Sequence, residues 1–380
     1  MTGGPRPDVV VLGAGIVGAA CAFRLANEGL RVLVCDTAYP GGGATAAGMG
    51  HIVVMDDSPA QLALTALSRG LWADLGPTLA SSCEDETPGT LWIAAGQEEM
   101  DAVRRKQATY ASVGVRADVL DAVALAQAEP NLRPGFAGAL YVPDDRVLYP
   151  PNAARWFIEQ ALAKGAQLRS ETRAIGVGPG SVRLLSNGHA ETIETGRIVL
   201  ATGVDAPSLV PRLAIVPRRG HLVITDRYPG TIRSQLVELG YLHSAHTMSG
   251  ASTAFNLQPR ATGQILIGST RELVGRDPGI NRTIVHQMLA RAVEFVPALA
   301  ECTTIRTWTG FRPATPDSLP LIGAWPETPG LHIAAGHEGL GITTATGTAA
   351  LIAAEILGRR PPIDAAPFAP TRTMPQAGAV

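Results

Sequence analysis

One stretch near the N-terminus constrains the fold more than any other: DVVVLGAGIVGAACAFRLANEGLRVLVCD, Asp8 to Asp36. Val9 to Leu12 is an unbroken run of β-branched and leucine side chains, as expected of a strand buried on both faces. Gly13, Gly15 and Gly18 follow as GxGxxG. A helical pattern then runs from about Ile16 to Glu28, with Gly29 placed to end it. RVLVCD predicts a second buried strand that stops at Asp36. Each part has a mechanical job. Gly13 permits a tight turn, Gly15 lets a pyrophosphate approach the backbone, and Gly18 lets helix and strand pack closely. The first helical turn, Ile16 and Val17, brings backbone N–H groups and a positive dipole end towards the phosphates. Asp36 lies eighteen positions after Gly18, near the spacing of an acid that binds a ribose hydroxyl pair. The pattern does not separate NAD from FAD, and an acid at position 36 disfavours NADP.

The rest of the composition fits a globular chain. Hydrophobic residues make up 46% of the 380 and charged residues 17%, enough for two or three domain-sized units. The formal net charge is −2 with no basic block, which argues against nucleic acid as a partner. Cys21, Cys35, Cys83 and Cys302 are scattered without a CxxC pair. This fits a reducing compartment and argues against a disulfide framework or a zinc site. The apolar run Val9 to Phe23 could pass for a signal peptide, but it is too short to span a membrane and stops at Arg24. The expected location is cytoplasmic, with no transmembrane segment.

After Asp36 comes TAYPGGGATAAGMGHI, Thr37 to Ile52. Ala44 to Gly50 either lies flat against a large planar ligand, since nothing protrudes, or forms a flexible surface loop. Ser58 to Leu79 predicts a helix with Ser58 as N-cap and Pro59 in its first position. Gly89 to Ala95 predicts a strand, Glu98 to Val113 an amphipathic helix, Tyr149 to Leu168 a helix running into a strand, and Arg197 to Gly203 a buried strand. From Val216 to Gly268 the pattern turns strand-like and often alternating (GHLVITD, STAFNLQP, GQILIGS), which predicts an antiparallel sheet. His286 to Val296 predicts a helix. Nucleotide-binding α/β pieces thus occupy the start, middle and end, with an antiparallel module inserted in two parts.

In the last third, TGFRPATPDSLPLIG is followed by LHIAAGHEGLGITTATGTAALIAAEIL. With the N-terminal GxGxxG and Asp36, GATAAGMG and LATGVDAPSL, these segments resemble the D-amino acid oxidase and glycine oxidase superfamily of FAD-dependent oxidoreductases. The likeness covers both ends and the middle of the chain. Within that superfamily, TAAGMGHIVVMDDSPAQLALT, HLVITDRYPG, VELGYLHSAH and RTWTGFRPATPD resemble the D-hydroxyproline dehydrogenase group. That group is itself similar to the flavoprotein subunits of hydrogen cyanide synthase.

The resemblance implies an α/β fold: a Rossmann-like FAD-binding domain with an inserted, mostly antiparallel substrate-binding domain. The expected FAD-binding parts are residues 1–84, 149–211 and 307–370, the substrate parts 85–148 and 212–306, and a tail 371–380. It implies oxidation of a small amino or imino acid, cis-4-hydroxy-D-proline to a pyrroline carboxylate, by hydride transfer to flavin N5. FAD is expected to be non-covalent, because Thr307 to Thr315 contains no cysteine and Cys302 lies upstream. Expected FAD contacts are Gly13, Gly15, Ile16, Val17, Gly18, Asp36, Thr45, Ala46, Ala47, Gly48, Met49, Gly203, Gly310, Gly339, Leu340, Gly341, Ile342 and Thr343. The last five open a helix whose N–H groups would stabilise charge on the reduced flavin.

Arg312 matches the arginine that holds the substrate carboxylate in this superfamily, and a guanidinium suits a carboxylate bidentately. Its other reading is a structural salt bridge to Asp317 or another acid. Asp317 either orients Arg312 or caps the turn before SLPLIG. The stiffened surroundings of Arg312 read as a desolvated pocket floor rather than a core strand. His51, Tyr241 and His337 are acid–base candidates, each with a plain alternative as a hydrogen-bonded core residue. The electron acceptor is open: oxygen, a quinone or a partner dehydrogenase subunit. Rival functions are a glycine, sarcosine or other D-amino acid oxidoreductase, an NAD-dependent dehydrogenase, and a non-catalytic or electron-transfer flavoprotein subunit.

Overall fold

The apolar run Val9–Leu12 becomes the strand at which a six-stranded sheet changes direction. The computed structural model describes residues 6–239 and 252–372. The sheet order is Leu321–Ala324, Leu331–Ala335, Arg197–Leu200, Val9–Leu12, Val32–Cys35, Gln167–Arg169. Neighbours are parallel except at the Leu321–Ala324 edge, which is antiparallel. The chain builds outward from Val9–Leu12 on one side, then returns to its other side at Arg197–Leu200. The crevice above the carboxyl ends of these two strands is therefore a topological switch point, where α/β sheets bind ligands.

Continuous hydrophobicity is explained by cover on both faces. Val9, Val11, Val32 and Val34 pack against the helices Ile16–Asn27, Pro150–Ala163 and Gly341–Ile356. Val10, Leu12, Leu33 and Cys35 pack against a three-stranded antiparallel meander, Thr172–Gly178, Ser181–Ser186 and His189–Glu194. The helix Ile16–Asn27 lies close because Gly18 has no side chain: a Cβ there would overlap the Gly13 carbonyl oxygen. Gly13 itself turns with φ +101°, a left-handed conformation that only glycine adopts cheaply. Among the described residues one segment, Glu338–Ile356, is long and apolar enough to cross a membrane, but most of it is buried inside this fold as its last helix.

The second sheet has eight strands, in the order Thr304–Ala314, Val216–Thr225, Ile265–Arg271, Ser252–Pro259, Gln235–Glu238, Thr90–Ala94, Gly138–Val142, Asp118–Asp121. It is antiparallel as expected save for one parallel pair, Thr90–Ala94 with Gln235–Glu238, which joins its two chain segments. Alternation divides its faces. Leu91, Ile93, Leu236, Phe255 and Leu257 share a core with the helix Arg282–Phe295, whereas Trp92 and Val237 belong to the opposite side. A two-stranded ribbon, His51–Ile52 with Arg146–Val147, links the layers.

Local signals behave as the sequence suggests, with shifted ends. Ser58 Oγ accepts from the Gln61 N–H at 3.1 Å and caps Pro59–Leu75. A 3₁₀ turn, Gly76–Thr78, follows where Pro77 interrupts the helix. The helix expected from His286 starts earlier, at Arg282, because Asn281 caps it by accepting from the Ile284 N–H. The larger difference concerns Arg312. Its segment is a long strand, Thr304–Ala314, paired with Val216–Thr225 from end to end. The strand runs across position 306/307, and the pocket-floor segment is itself an edge strand of the substrate sheet.

Candidate active site

A cavity of about 700 Å³ opens at the switch point and runs between the two sheets. Its wall contains most of the expected residues: Gly13, Gly15, Ile16, Val17, Asp36, Thr45, Ala47, Gly48, Met49, His51, Gly203, Gly310, Arg312, His337, Gly339, Leu340, Gly341 and Ile342. Gly18, Ala46 and Thr343 stand behind the wall, and Tyr241 lies outside the described residues.

At the sheet end, Asp36 is fixed on both oxygens. Oδ2 accepts from the Ala14 N–H at 2.6 Å and Oδ1 from the Ala38 N–H at 2.8 Å. The Ile16 N–H, at the helix start, donates to Thr45 Oγ1 at 3.0 Å rather than facing a ligand. The small-residue stretch is thereby tied down. Thr45, Met49 and Gly50 are buried, and Trp308 Nε1 donates to the Ala47 carbonyl at 3.4 Å. Gly310 faces Ala47 so closely that a Cβ on the glycine would overlap the alanine methyl. Ala44 to Gly50 is thus a shaped wall against the substrate sheet, not a free loop.

The last helix points its N-terminal turn at the cavity. A 3₁₀ turn, Glu338–Leu340, leads into Gly341–Ile356. Trp72 Nε1 donates to the Ile342 and Thr343 carbonyls at 3.1 and 3.0 Å. Thr343 Oγ1 donates to the His51 carbonyl at 2.9 Å and accepts from the Val53 N–H at 3.3 Å. Thr343 is therefore a strut that ties the His51 strand to the helix.

Arg312 Nη1 donates to the Thr270 carbonyl at 2.9 Å. The guanidinium lies across Gly220 on the neighbouring strand, where a Cβ would strike it, and beside Gly339. Its expected alternative partner, Asp317, is engaged elsewhere. Arg372 donates to Asp317 with Nε and Nη2 at 2.7 and 2.9 Å, and Asp317 Oδ1 accepts from the Leu319 N–H at 3.2 Å. Asp317 thus caps the turn and anchors the C-terminal segment.

The two histidines differ. His51 lines the cavity, its Nε2 is buried without a hydrogen-bond partner among the described residues, and burial holds its pKa at about 4. It is neutral at physiological pH and able to hydrogen-bond a bound group. His337 is 5% exposed, its Nε2 pairs with Thr348 Oγ1 at 2.9 Å, and burial lowers its pKa to about 3. That ring is spent on the last helix.

Several wall residues carried no sequence signal. Glu338 sits in the turn beside Gly339 with φ +47° and pairs with Arg218 at 2.7 Å, while Arg271 Nε lies 4.0 Å from the same carboxylate. Arg271 and Ser269 line the cavity on alternate positions of one strand. Only strand alternation in GQILIGSTRE could have indicated them. At the far end are Thr90, Trp92, Val237 and Asn256. Cys35 lines the wall near Asp36, and Cys302 lies off it in a turn, facing the Ala298 carbonyl.

These features suit a dinucleotide cofactor: glycines at which a Cβ would strike the neighbouring strand or turn and push the helix start off its place, a fixed acid beyond the second strand, a helix N-terminus and an unsatisfied ring nitrogen. A family model described as FAD dependent oxidoreductase (DAO) matches residues 8–355. The chain is 28% identical over 391 residues to the glycine oxidase of Geobacillus kaustophilus, covering 98% of this chain and 99% of the relative. It is 27% identical over 421 residues to hydrogen cyanide synthase subunit HcnC of Pseudomonas aeruginosa, covering 98% of each. The crystal structure of the Geobacillus kaustophilus glycine oxidase superposes with a TM-score of 0.86 at 27% identity, over 97% of this chain and 100% of that one.

The buried His337 makes stability pH-dependent. Its pKa falls from 6.5 unfolded to about 3 folded, so the unfolded chain binds the extra proton. Its contribution is complete above pH 6.5 and is lost as pH falls towards 3. Urea titrations between pH 6 and 4 should show His337→Gln shedding about 1.4 kcal/mol per pH unit of the wild-type slope. Equal slopes would mean that the ring is protonated in the native state.

Proposed function

The chain belongs to the DAO family of FAD-dependent oxidoreductases acting on amino acids, and within it we propose that the substrate is a small D-amino or imino acid, foremost cis-4-hydroxy-D-proline. FAD, when bound in the glycine cradle, would supply the two-electron acceptor for the hydrogen lost from the substrate α-carbon. The rest is the work of this chain. Arg312 holds the substrate carboxylate. The observation that carries this reading is its guanidinium, anchored by the Thr270 carbonyl, set between Gly220 and Gly339 and lining the same cavity as the glycine cradle. A fixed planar fork orients the α-carbon, and orientation supplies much of the rate. The N-terminal turn at Gly339–Ile342 would stabilise negative charge gained by the cofactor. His51, neutral and facing the cavity, is the candidate to hydrogen-bond the cofactor or receive the amine proton directly or through water.

Glycine or sarcosine is the second reading, favoured by the glycine oxidase relatives. The relative that is a subunit of hydrogen cyanide synthase supports a partner subunit as electron acceptor. The nicotinamide alternative falls, because the family match extends from residue 8 to residue 355.

Anaerobic mixing with D- and L-proline, cis-4-hydroxy-D-proline, glycine and sarcosine should bleach the flavin fastest with cis-4-hydroxy-D-proline. Faster bleaching by glycine or sarcosine would replace the proposed substrate. Arg312→Lys should keep FAD bound but raise KM by roughly 10- to 100-fold, the value of a charge-assisted hydrogen bond lost from a fork geometry. An unchanged KM would remove Arg312 from carboxylate binding. With no cysteine placed at the inner end of the cavity, FAD is proposed to be non-covalent. Acid precipitation should leave the yellow colour in the supernatant, and a yellow pellet would contradict this.

A further inference from the structure

Most polar atoms at the substrate-sheet end of the cavity are satisfied within the protein. Gln61 Oε1 accepts from the Asp57 N–H at 3.1 Å, and Thr90 Oγ1 accepts from Gln235 Nε2 at 3.2 Å. Trp92 and Asn256, neighbours on this sheet, are among the wall residues that differ. Trp92 is 2% exposed and its Nε1 has no hydrogen-bond partner among the described residues; nor has the buried Oδ1 of Asn256. Both residues line the cavity.

The register explains why these atoms belong together. Trp92 pairs with Val237, and Val237 pairs with Asn256, so the three form one row across adjacent strands. The residues on either side of Trp92 and Asn256, namely Leu91, Ile93, Phe255 and Leu257, face the opposite, apolar core. Two strand spacings separate the Trp92 and Asn256 backbones by roughly 10 Å. A long indole and a shorter amide can close most of that distance above Val237, whose side chain is smaller than either. One atom is a donor only and the other an acceptor. A buried donor and acceptor left unsatisfied are costly, and a ligand that satisfies both regains that cost. The Thr270 carbonyl that anchors Arg312 is two positions from Gly268, the next residue in the same row. The row and the carboxylate anchor are therefore neighbours on the same sheet.

We propose that Trp92 and Asn256 form a subsite for a substrate hydroxyl, which accepts from Trp92 Nε1–H and donates to Asn256 Oδ1. A hydroxyl is the small group that does both through one atom. The subsite makes these two residues specificity determinants, separate from the carboxylate anchor. It rests on reading the cavity as an amino-acid oxidation site, and it names the chemistry at the substrate end away from the carboxylate.

The test uses two matched pairs: cis-4-hydroxy-D-proline with D-proline, and D-serine with D-alanine. Anaerobic flavin reduction gives kcat/KM for each with wild type, Trp92→Phe and Asn256→Ala, all holding FAD. Trp92→Phe keeps the ring and removes only the donor. Wild type should favour the hydroxylated member of at least one pair. Each variant should lower that preference by roughly tenfold or more, the scale of one hydrogen bond removed. If only the serine pair shows this, the proline substrate falls and the subsite stands. Equal losses on both members, or no wild-type preference for either hydroxylated compound, overturn the subsite. The two variants remove different atoms, so poor folding of one leaves the other decisive.

Discussion

A carbonyl oxygen fills the space where Gly18 would carry a methyl group, and the active site depends on that contact. Because the Gly13 carbonyl reaches the body of the first helix, the helix lies flat on its strand and its first turn overlooks the switch point. Thr45 then takes the Ile16 N–H, which draws the small-residue stretch across the crevice. Asp36 closes the arrangement by taking the Ala14 N–H. A larger residue at position 18 would move the helix start, and with it each of these partners.

The same device recurs where the two sheets meet. Gly310 lets the edge strand of the substrate sheet touch Ala47, and Gly220 leaves room for the Arg312 guanidinium. Interiors are packed too tightly to absorb an extra methyl at such points. Charge is managed alongside packing. Arg218 and Glu338 neutralise one another next to the turn that opens the last helix. Breaking a buried pair of this kind costs more than the pair contributes, because one charge is left uncompensated. Glu338 is therefore tied to the position of its neighbour Gly339, against which Arg312 lies.

What the sequence made legible was local. The strand, glycine turn, helix and acid from Val9 to Asp36 are encoded within a single βαβ unit, and Ser58 names its own cap three residues ahead. The strand nature of Thr304–Ala314 was hidden by Gly310 and Pro313, which read as turn residues. A proline is tolerated there because this strand is the edge of its sheet, where a missing N–H goes unmissed. Trp92, Asn256 and Arg271 became visible only through pairing between distant strands, and Glu338 only through its contact with Arg218. No short window holds Trp92 and Asn256 together; the register of Gln235–Glu238 does.

That register has a consequence for how the chain is made. The parallel pair Thr90–Ala94 with Gln235–Glu238 joins segments whose paired residues Thr90 and Gln235 are 145 positions apart, and Val9–Leu12 waits for Arg197–Leu200. Non-local pairing of this sort carries a loop-closure cost before any contact repays it. Neither sheet can close on a ribosome until most of the chain has emerged, since each takes a strand from beyond residue 300. The interleaving that brings cofactor cradle and carboxylate anchor to one crevice therefore also makes the two layers mature together. The nascent N-terminal βαβ unit must keep its apolar faces covered by other means until then.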